Sequence, residues 1–124
     1  MKTRVTVVLP ARNESTPIGN VVMQIRAQLP EVEVIVVDDG STDATGEAAT
    51  KSGARVIRQP YSKGNGAAIK TGARAASGDV IVFMDADGQH DPADIPALLA
   101  RLDEGYDMVV GARQAGSQAS LGRG

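Results

Sequence analysis

Val36-Val37-Asp38-Asp39-Gly40-Ser41-Thr42-Asp43 passes from apolar β-branched residues straight into an acidic, glycine-containing turn, and Val80-Ile81-Val82-Phe83-Met84-Asp85-Ala86-Asp87-Gly88-Gln89 repeats the change. A short continuous apolar run of this kind suits a strand buried on both faces, as parallel strands are. Each group of carboxylates then stands at the carboxyl end of a buried strand, where open α/β sheets bind their ligands. The two turns thus predict a fold class together with a site, one suited to a nucleotide and a metal.

Working outward, further strand-like runs occur at Val5 to Leu9, Glu33 to Val37, Arg55 to Ile57, Val80 to Met84 and Met108 to Val110, with helical periodicity between them. The punctuation agrees. Thr16 is placed to cap a helix with Pro17 at its first position, and Asp91 to do the same with Pro92. Ile95, Leu98, Leu99 and Leu102 form one apolar stripe closed by Gly105, a further helix is expected from Asp43 to Lys51, and Gly53 and Gly78 sit where helices should stop. Repeated βαβ units with right-handed crossovers give an α/β fold, a doubly wound, mostly parallel sheet. With strand order 3-2-1-4, the first and fourth strands are neighbours, and the loops Pro10 to Glu14 and Asp85 to Gln89 meet across the switch-point crevice.

Composition bounds the function. With 124 residues, 42% of them hydrophobic, the chain suits one domain around a single core. Lys and Arg number 13 against 15 Asp and Glu, so no dispersed basic surface for nucleic acid is expected. An aromatic content of 2% also removes base-stacking platforms. Without cysteine there is neither disulfide nor thiolate zinc site, which fits a reducing compartment. The apolar segment Val5 to Leu9 is too short for a signal-peptide core or a membrane span. The expectation is a cytoplasmic chain, soluble or peripheral at the cytoplasmic face of a membrane.

Motifs exclude several chemistries. Pro10-Ala11-Arg12-Asn13-Glu14 follows the first strand in place of a Gly-x-Gly-x-x-Gly fingerprint, and no Walker A sequence occurs. Gln89 and His90 at the fifth and sixth positions, and Pro96 at the twelfth, break an EF-hand pattern at the Asp85 loop. A single histidine and the lack of a Gly-x-Ser-x-Gly elbow leave triad hydrolysis without its parts.

What remains is oxygen chemistry. Asp85, Asp87 and Gln89, spaced by two, can direct oxygens to one point and suit a hard ion, Mg²⁺ or Mn²⁺, bridging a diphosphate. An Asx-turn ahead of Gly88 would use the same residues. Asp38-Asp39-Gly40-Ser41-Thr42 reads equally as turn and cap chemistry, although an adjacent acidic pair is better explained if one carboxylate meets a base N–H or a ribose hydroxyl. Arg12 and Glu14 form either a surface ion pair or part of the site. Lys63-Gly64-Asn65-Gly66, before a helix, is an ordinary loop or a set of amides near a phosphate.

In this order, Leu9-Pro10-Ala11-Arg12-Asn13-Glu14, Val37-Asp38-Asp39-Gly40-Ser41-Thr42-Asp43, Lys63-Gly64-Asn65-Gly66-Ala67-Ala68 and Asp85-Ala86-Asp87-Gly88-Gln89 resemble the serial signatures of family 2 glycosyltransferases of the GT-A fold. Gln89-His90 after the Asp-x-Asp, and Gly111-Ala112-Arg113 after the fifth strand, are most similar to dolichyl- and polyprenyl-phosphate hexose synthases. The resemblance implies inverting transfer of a hexose from a nucleoside diphosphate sugar, UDP- or GDP-linked, to a lipid phosphate at a membrane surface. It implies that Pro10, Arg12, Glu14, Val37 and Asp39 hold the nucleoside, and that Asp85, Ala86, Asp87 and Arg113 contact the donor. Asp85 and Asp87 would be catalytic through a metal they carry with Gln89. Arg12 stands where the family often has Tyr, which leaves the base open. Full-length members continue past the Gly-x-Arg motif, so residues 1–124 are expected to form the donor-binding part of such a domain, inactive alone.

Two rivals use the same residues. An aspartate-nucleophile phosphatase would take Asp85 as nucleophile and Asp87 as acid, but places that motif on its first strand and follows the glycine with Thr or Val. A phospho-receiver would need its acidic pair after the first strand and a lysine after the fifth, where Pro10-Ala11-Arg12 and Gly111-Ala112-Arg113 stand.

Overall fold

A computed structural model describes residues 4–84, together with the strand backbones at 108–110 and 120–121. The elements run β1 (Val5–Ala11), α1 (Ser15–Gln28), β2 (Glu33–Asp39), α2 (Thr45–Lys51), β3 (Arg55–Gln59), α3 (Asn65–Ala75), β4 (Val80–Phe83), β5 (Met108–Val110) and β6 (Ser120–Leu121). They form one sheet of order β3-β2-β1-β4-β5-β6, parallel except for β6. The expected α/β class, the 3-2-1-4 order and all five expected strands are present. β6 was not anticipated, because Ser120-Leu121 carries no apolar run from which periodicity could be read.

The alternation of β1 explains the two layers. Val7 and Leu9 face one side, where α1 and α2 cover them with Ile18, Val22, Ile25 and Ala49; Val8 faces the other with Ile35, Val37 and Phe83, under Ala68 of α3. On α1 the buried positions are Ile18, Val21, Val22 and Ile25, one stripe at helical spacing. Each fully enclosed aliphatic chain contributes about 1.5–3 kcal/mol, an upper estimate. With α1 and α2 on one face and α3 on the other, the winding reverses between β1 and β4, the position at which such sheets open a crevice.

Strands β1, β2 and β3 each run two residues beyond their apolar stretches, to Ala11, Asp39 and Gln59. Ladder pairing continues through Pro10 opposite Val37, Ala11 opposite Asp38 and Asp39 opposite Gln59, because the bonds are made by the backbone whatever the side chain. Pro10 is tolerated in this central strand for a local reason. The Val8 carbonyl accepts from the Met84 N–H at 3.0 Å, so two residues later Pro10 turns its missing N–H toward the same neighbour, past the end of β4 at Phe83.

Helix starts differ from expectation. α1 begins at Ser15, without a side-chain cap of its own, so Thr16 is not its cap and Pro17 lies in the first turn, where no N–H is required. Its free amides are met from another loop: the Glu14 N–H donates to Thr45 Oγ1 at 2.9 Å and the Ser15 N–H to Asp43 Oδ2 at 3.3 Å. α2 begins at Thr45 rather than Asp43, whose Oδ1 accepts the Thr45 N–H at 3.0 Å from outside the helix. Gly53 does follow α2, at φ 101°. Gly78 does not end α3, which stops at Ala75; its N–H donates to Thr6 Oγ1 at 3.0 Å, and a Cβ there would lie 2.8 Å from the Thr6 nitrogen. At this amino-terminal edge Glu33 Oε1 accepts from Thr6 Oγ1 at 2.7 Å and from the Ser77 N–H at 2.8 Å. Burial opposes its charge, but these donors and the Arg55 charge outweigh it and hold the Glu33 pKa below its ordinary value.

The helix expected to start at Asp91-Pro92 and close at Gly105 lies outside the described residues. No helix among the described residues is long and apolar enough to cross a membrane.

Candidate functional site

At the carboxyl edge of the sheet, three loops converge. The β1–α1 loop is fixed by Asn13, whose backbone is left-handed at φ 55°, a conformation Asn tolerates better than most residues. Its side-chain oxygen accepts from the Thr42 N–H at 2.8 Å and from Thr42 Oγ1 at 3.2 Å, and its own N–H donates to Ser41 Oγ at 2.9 Å. The first two loops are thereby joined.

The acidic pair separates by face, since successive strand residues point to opposite sides. Asp38 is fully buried on the α2 side. Its Oδ1 accepts the Ser41 N–H at 3.0 Å, while Oδ2 has no partner among the described residues. That is turn chemistry, the structural alternative for this residue. Asp39 faces the α3 side, 6% exposed, and binds the third loop: Lys63 N–H donates to Oδ1 at 2.8 Å, and Ser62 Oγ and Gly64 N–H donate to Oδ2 at 2.9 and 3.1 Å. Burial alone pushes this carboxyl toward neutrality. The three donors and the Arg12 charge outweigh it, so the Asp39 pKa lies below the ordinary carboxylate value and the group is ionised at neutral pH.

Gly40 permits that contact. At φ 72°, a Cβ on it would lie 2.5 Å from the Ser62 nitrogen and 2.6 Å from the Tyr61 carbonyl carbon. Only glycine combines this backbone with so close an approach.

A cleft of about 260 Å³ opens between these loops, lined by Pro10, Arg12, Asp39, Ser62, Gly64 and Asn65 among others. Three expected site residues, Pro10, Arg12 and Asp39, therefore share one wall. Glu14 does not line it; its amide closes the α1–α2 network instead. Val37 is fully buried beneath α3, as the inward residue of a strand covered on that face, and does not line this cleft. The Lys63 and Gly64 amides, for which an ordinary loop and a phosphate site were both open readings, are directed at Asp39. Ser62, not singled out in the sequence, proves a direct partner of Asp39; a hydroxyl in a Pro-Tyr-Ser-Lys loop carries no local signal of a carboxylate 23 residues away. A larger recess of about 370 Å³ lies on the α2 side, lined by Gly46, Thr50, Val56 and Arg58 among others, and holds none of the expected site residues.

Asp85, Ala86, Asp87, Gln89, His90 and Arg113 lie outside the described residues. Among the described residues, no group of three carboxylates or imidazoles is placed to hold a metal.

Comparison with known proteins agrees with this architecture. The model for glycosyl transferase family 2 matches residues 6–123. An uncharacterised glycosyltransferase of Mycobacterium tuberculosis is 41% identical over 110 residues, covering 89% of this chain and 49% of that protein. A dolichol-phosphate mannosyltransferase of Pyrococcus furiosus is 39% identical over 116 residues, covering 89% of this chain and 33% of that one. The solved structure of glucosyl-3-phosphoglycerate synthase from M. tuberculosis, in complex with Mg²⁺ and UDP, matches with a TM-score of 0.71 and 39% identity over 81% of this chain and 39% of that one. The chain spans about half the length of that mycobacterial glycosyltransferase, and less of the other two.

Proposed function

The chain belongs to glycosyl transferase family 2 and shares the GT-A fold, and from that premise we propose that it holds the nucleoside diphosphate sugar in a hexosyl transfer to a polyprenyl phosphate at the cytoplasmic face of a membrane. The observation that carries the donor site is Asp39: a carboxylate kept ionised at the carboxyl end of β2, on the wall of a cleft that Arg12 also lines. An acceptor and a cation side by side suit the hydrogen-bonding edge of a base or ribose. The lipid acceptor is supported by likeness to the Pyrococcus dolichol-phosphate mannosyltransferase.

Asp85, Asp87 and Gln89 offer two carboxylates and an amide oxygen, a donor set that fits a hard divalent ion, Mg²⁺ or Mn²⁺. When bound there, such an ion supplies Lewis-acid stabilisation of the leaving diphosphate. By the same resemblance, Arg113 would add positive charge toward the donor phosphates. An acceptor phosphate with a second pKa near ~6 is already largely ionised at neutral pH, so inverting displacement requires no dedicated base. The single histidine is consistent with that chemistry.

A second acceptor class is favoured by a specific observation, the likeness to glucosyl-3-phosphoglycerate synthase: a small phosphorylated acid in place of a lipid phosphate. Calorimetric titration with UDP, GDP and their hexose conjugates, with and without Mn²⁺, tests the donor site, and metal-enhanced binding is expected. Radiolabelled hexose transfer then tests the acceptor. Label entering the organic phase with polyprenyl phosphate supports the lipid reading, whereas label retained on 3-phosphoglycerate overturns it. Formation of an aspartyl phosphate with a small phosphodonor would replace both by a phosphatase or receiver.

A further inference from the structure

Charge is segregated along the chain. Between Glu47 and Asp79 stand six cations, Lys51, Arg55, Arg58, Lys63, Lys70 and Arg74, and no carboxylate, although the whole chain has a net charge of −2. All six are exposed. Four gather on the α3 side of the sheet: Arg55 donates to the Ala75 carbonyl at the end of α3 at 3.3 Å, Lys63 precedes the helix, and Lys70 and Arg74 lie on it. Lys70 and Arg74 stand four residues apart, on the side of α3 turned away from buried Ala68 and Gly72. Like charges at that spacing weaken a solvated helix, and no acidic residue in α3 relieves them. Neither makes an ion pair among the described residues. Gly66 and Ala67 beside them are small, so nothing holds the two cations away from a flat surface. At the head of the helix Tyr61 is 64% exposed, with the Lys63 ammonium 5.3 Å from its ring centre. Tyrosine settles at the headgroup level of a membrane, where a lysine beside it meets lipid phosphate.

Resting on the lipid-acceptor reading above, we propose that this basic face, Lys63, Lys70 and Arg74 with Tyr61 at its head, docks the chain on the anionic headgroups of a membrane. Charge complementarity identifies the occupant, since cations unopposed on one helix face are drawn to the negative surface of a cytoplasmic leaflet. Position supplies the consequence. Ser62, Gly64, Asn65 and Ala68 line the cleft that Asp39 also lines, and all four belong to the loop and first turn from which the basic face continues. With α3 lying on headgroups, the donor cleft meets the surface that holds a lipid phosphate; a soluble acceptor would need no such face. Single-stranded nucleic acid fits less well, because Tyr61 is the only exposed aromatic ring among the described residues and offers one stacking platform.

The test is sedimentation of the full chain with sucrose-loaded vesicles of phosphatidylcholine, with and without about one-third phosphatidylserine, at low salt. Binding is expected only with phosphatidylserine, and should fall as salt rises. Lys70→Gln and Arg74→Gln should each weaken it about fivefold and together about twenty-fivefold, while circular dichroism stays native. Lys51→Gln, on α2 across the sheet, should leave it unchanged. Because the chain has no tryptophan, Tyr61→Trp supplies a unique fluorophore whose emission should shift to the blue on anionic vesicles. Undiminished binding by the double variant, or equal binding to both vesicle types, overturns the proposal. So does pelleting without vesicles, which marks self-association, or a preference for single-stranded nucleic acid at equal salt. Absent vesicle binding beside transfer to polyprenyl phosphate in detergent overturns the docking face and leaves the acceptor reading standing. Binding to anionic vesicles beside transfer to 3-phosphoglycerate alone supports the face and overturns the acceptor reading. The comparison of vesicle types decides the matter even if the double variant does not fold.

Discussion

Asp38 and Asp39 are adjacent in the chain but serve opposite faces of the sheet, Asp38 closing its own turn on the Ser41 amide and Asp39 fastening the loop at residues 62–64. The repulsion expected of neighbouring carboxylates is relieved by strand geometry and by separate donors. Only one of the two is therefore available to the cleft.

Asp39→Ala should weaken UDP or GDP binding by about 1.5–3 kcal/mol, the worth of a hydrogen bond to a charged group, with little dependence on metal. It should also raise hydrogen exchange at the Lys63 and Gly64 amides, which lose their acceptor. Unchanged calorimetric affinity beside faster exchange would confine Asp39 to fastening the loop.

Asp85→Asn and Asp87→Asn each remove one charged oxygen ligand at almost constant size. Mn²⁺ enhancement of nucleotide binding should vanish in both while circular dichroism stays native, and chelation should reduce the wild type to the same level. Equal enhancement in the wild type and both variants rules out the metal role of this turn.

Gly40→Ala should lower stability by at least about 1–2 kcal/mol for the left-handed backbone alone, with more from the clash against the Tyr61–Ser62 backbone. A fall in melting temperature of about 4 °C or more follows for a small domain. Nucleotide affinity should drop with it, since the displaced loop carries the partners of Asp39. A melt superimposable on that of the wild type would contradict the close approach.

Acid should loosen the two edges of the sheet through different carboxylates. Glu33 and Asp39 both have lowered pKa values, so each stabilises the fold fully above its ordinary value, about 4.3 and 3.9 respectively, and loses that contribution as pH falls through the lower folded value. Stability from urea midpoints should be flat from neutrality to about pH 5 and decline below about pH 4, less steeply in Glu33→Gln. A stability that rises on acidification would contradict the sign.

The sheet was legible because its central strands β1 and β2 are enclosed on both faces, which writes them as unbroken apolar runs such as Val34 to Val37. The expected strand order was the common doubly wound one, and it is the order present. Helix starts were not legible, since Glu14 and Ser15 find their acceptors on Thr45 and Asp43, about thirty residues away, and capping rules read only neighbours. Pro10, Arg12 and Asp39 line one cleft because each stands at or just beyond the end of a strand. Val37 does not line that cleft because a motif spells consecutive residues while a strand turns every second one inward. Ser62 and Asn13 escaped notice for the reason that hid the helix caps: their partners are distant in sequence.

Pro10 has a consequence for the shape of the crevice. A parallel pair lengthens like a zip, each tooth needing an amide from the opposite strand, and on the β4 side of β1 the next tooth after Val8 would be the amide of residue 10. Proline has none. One hydrogen bond of the seam between β1 and β4 is therefore withheld by covalent structure rather than by the packing of side chains, at a residue that also lines the cleft beside Asp39.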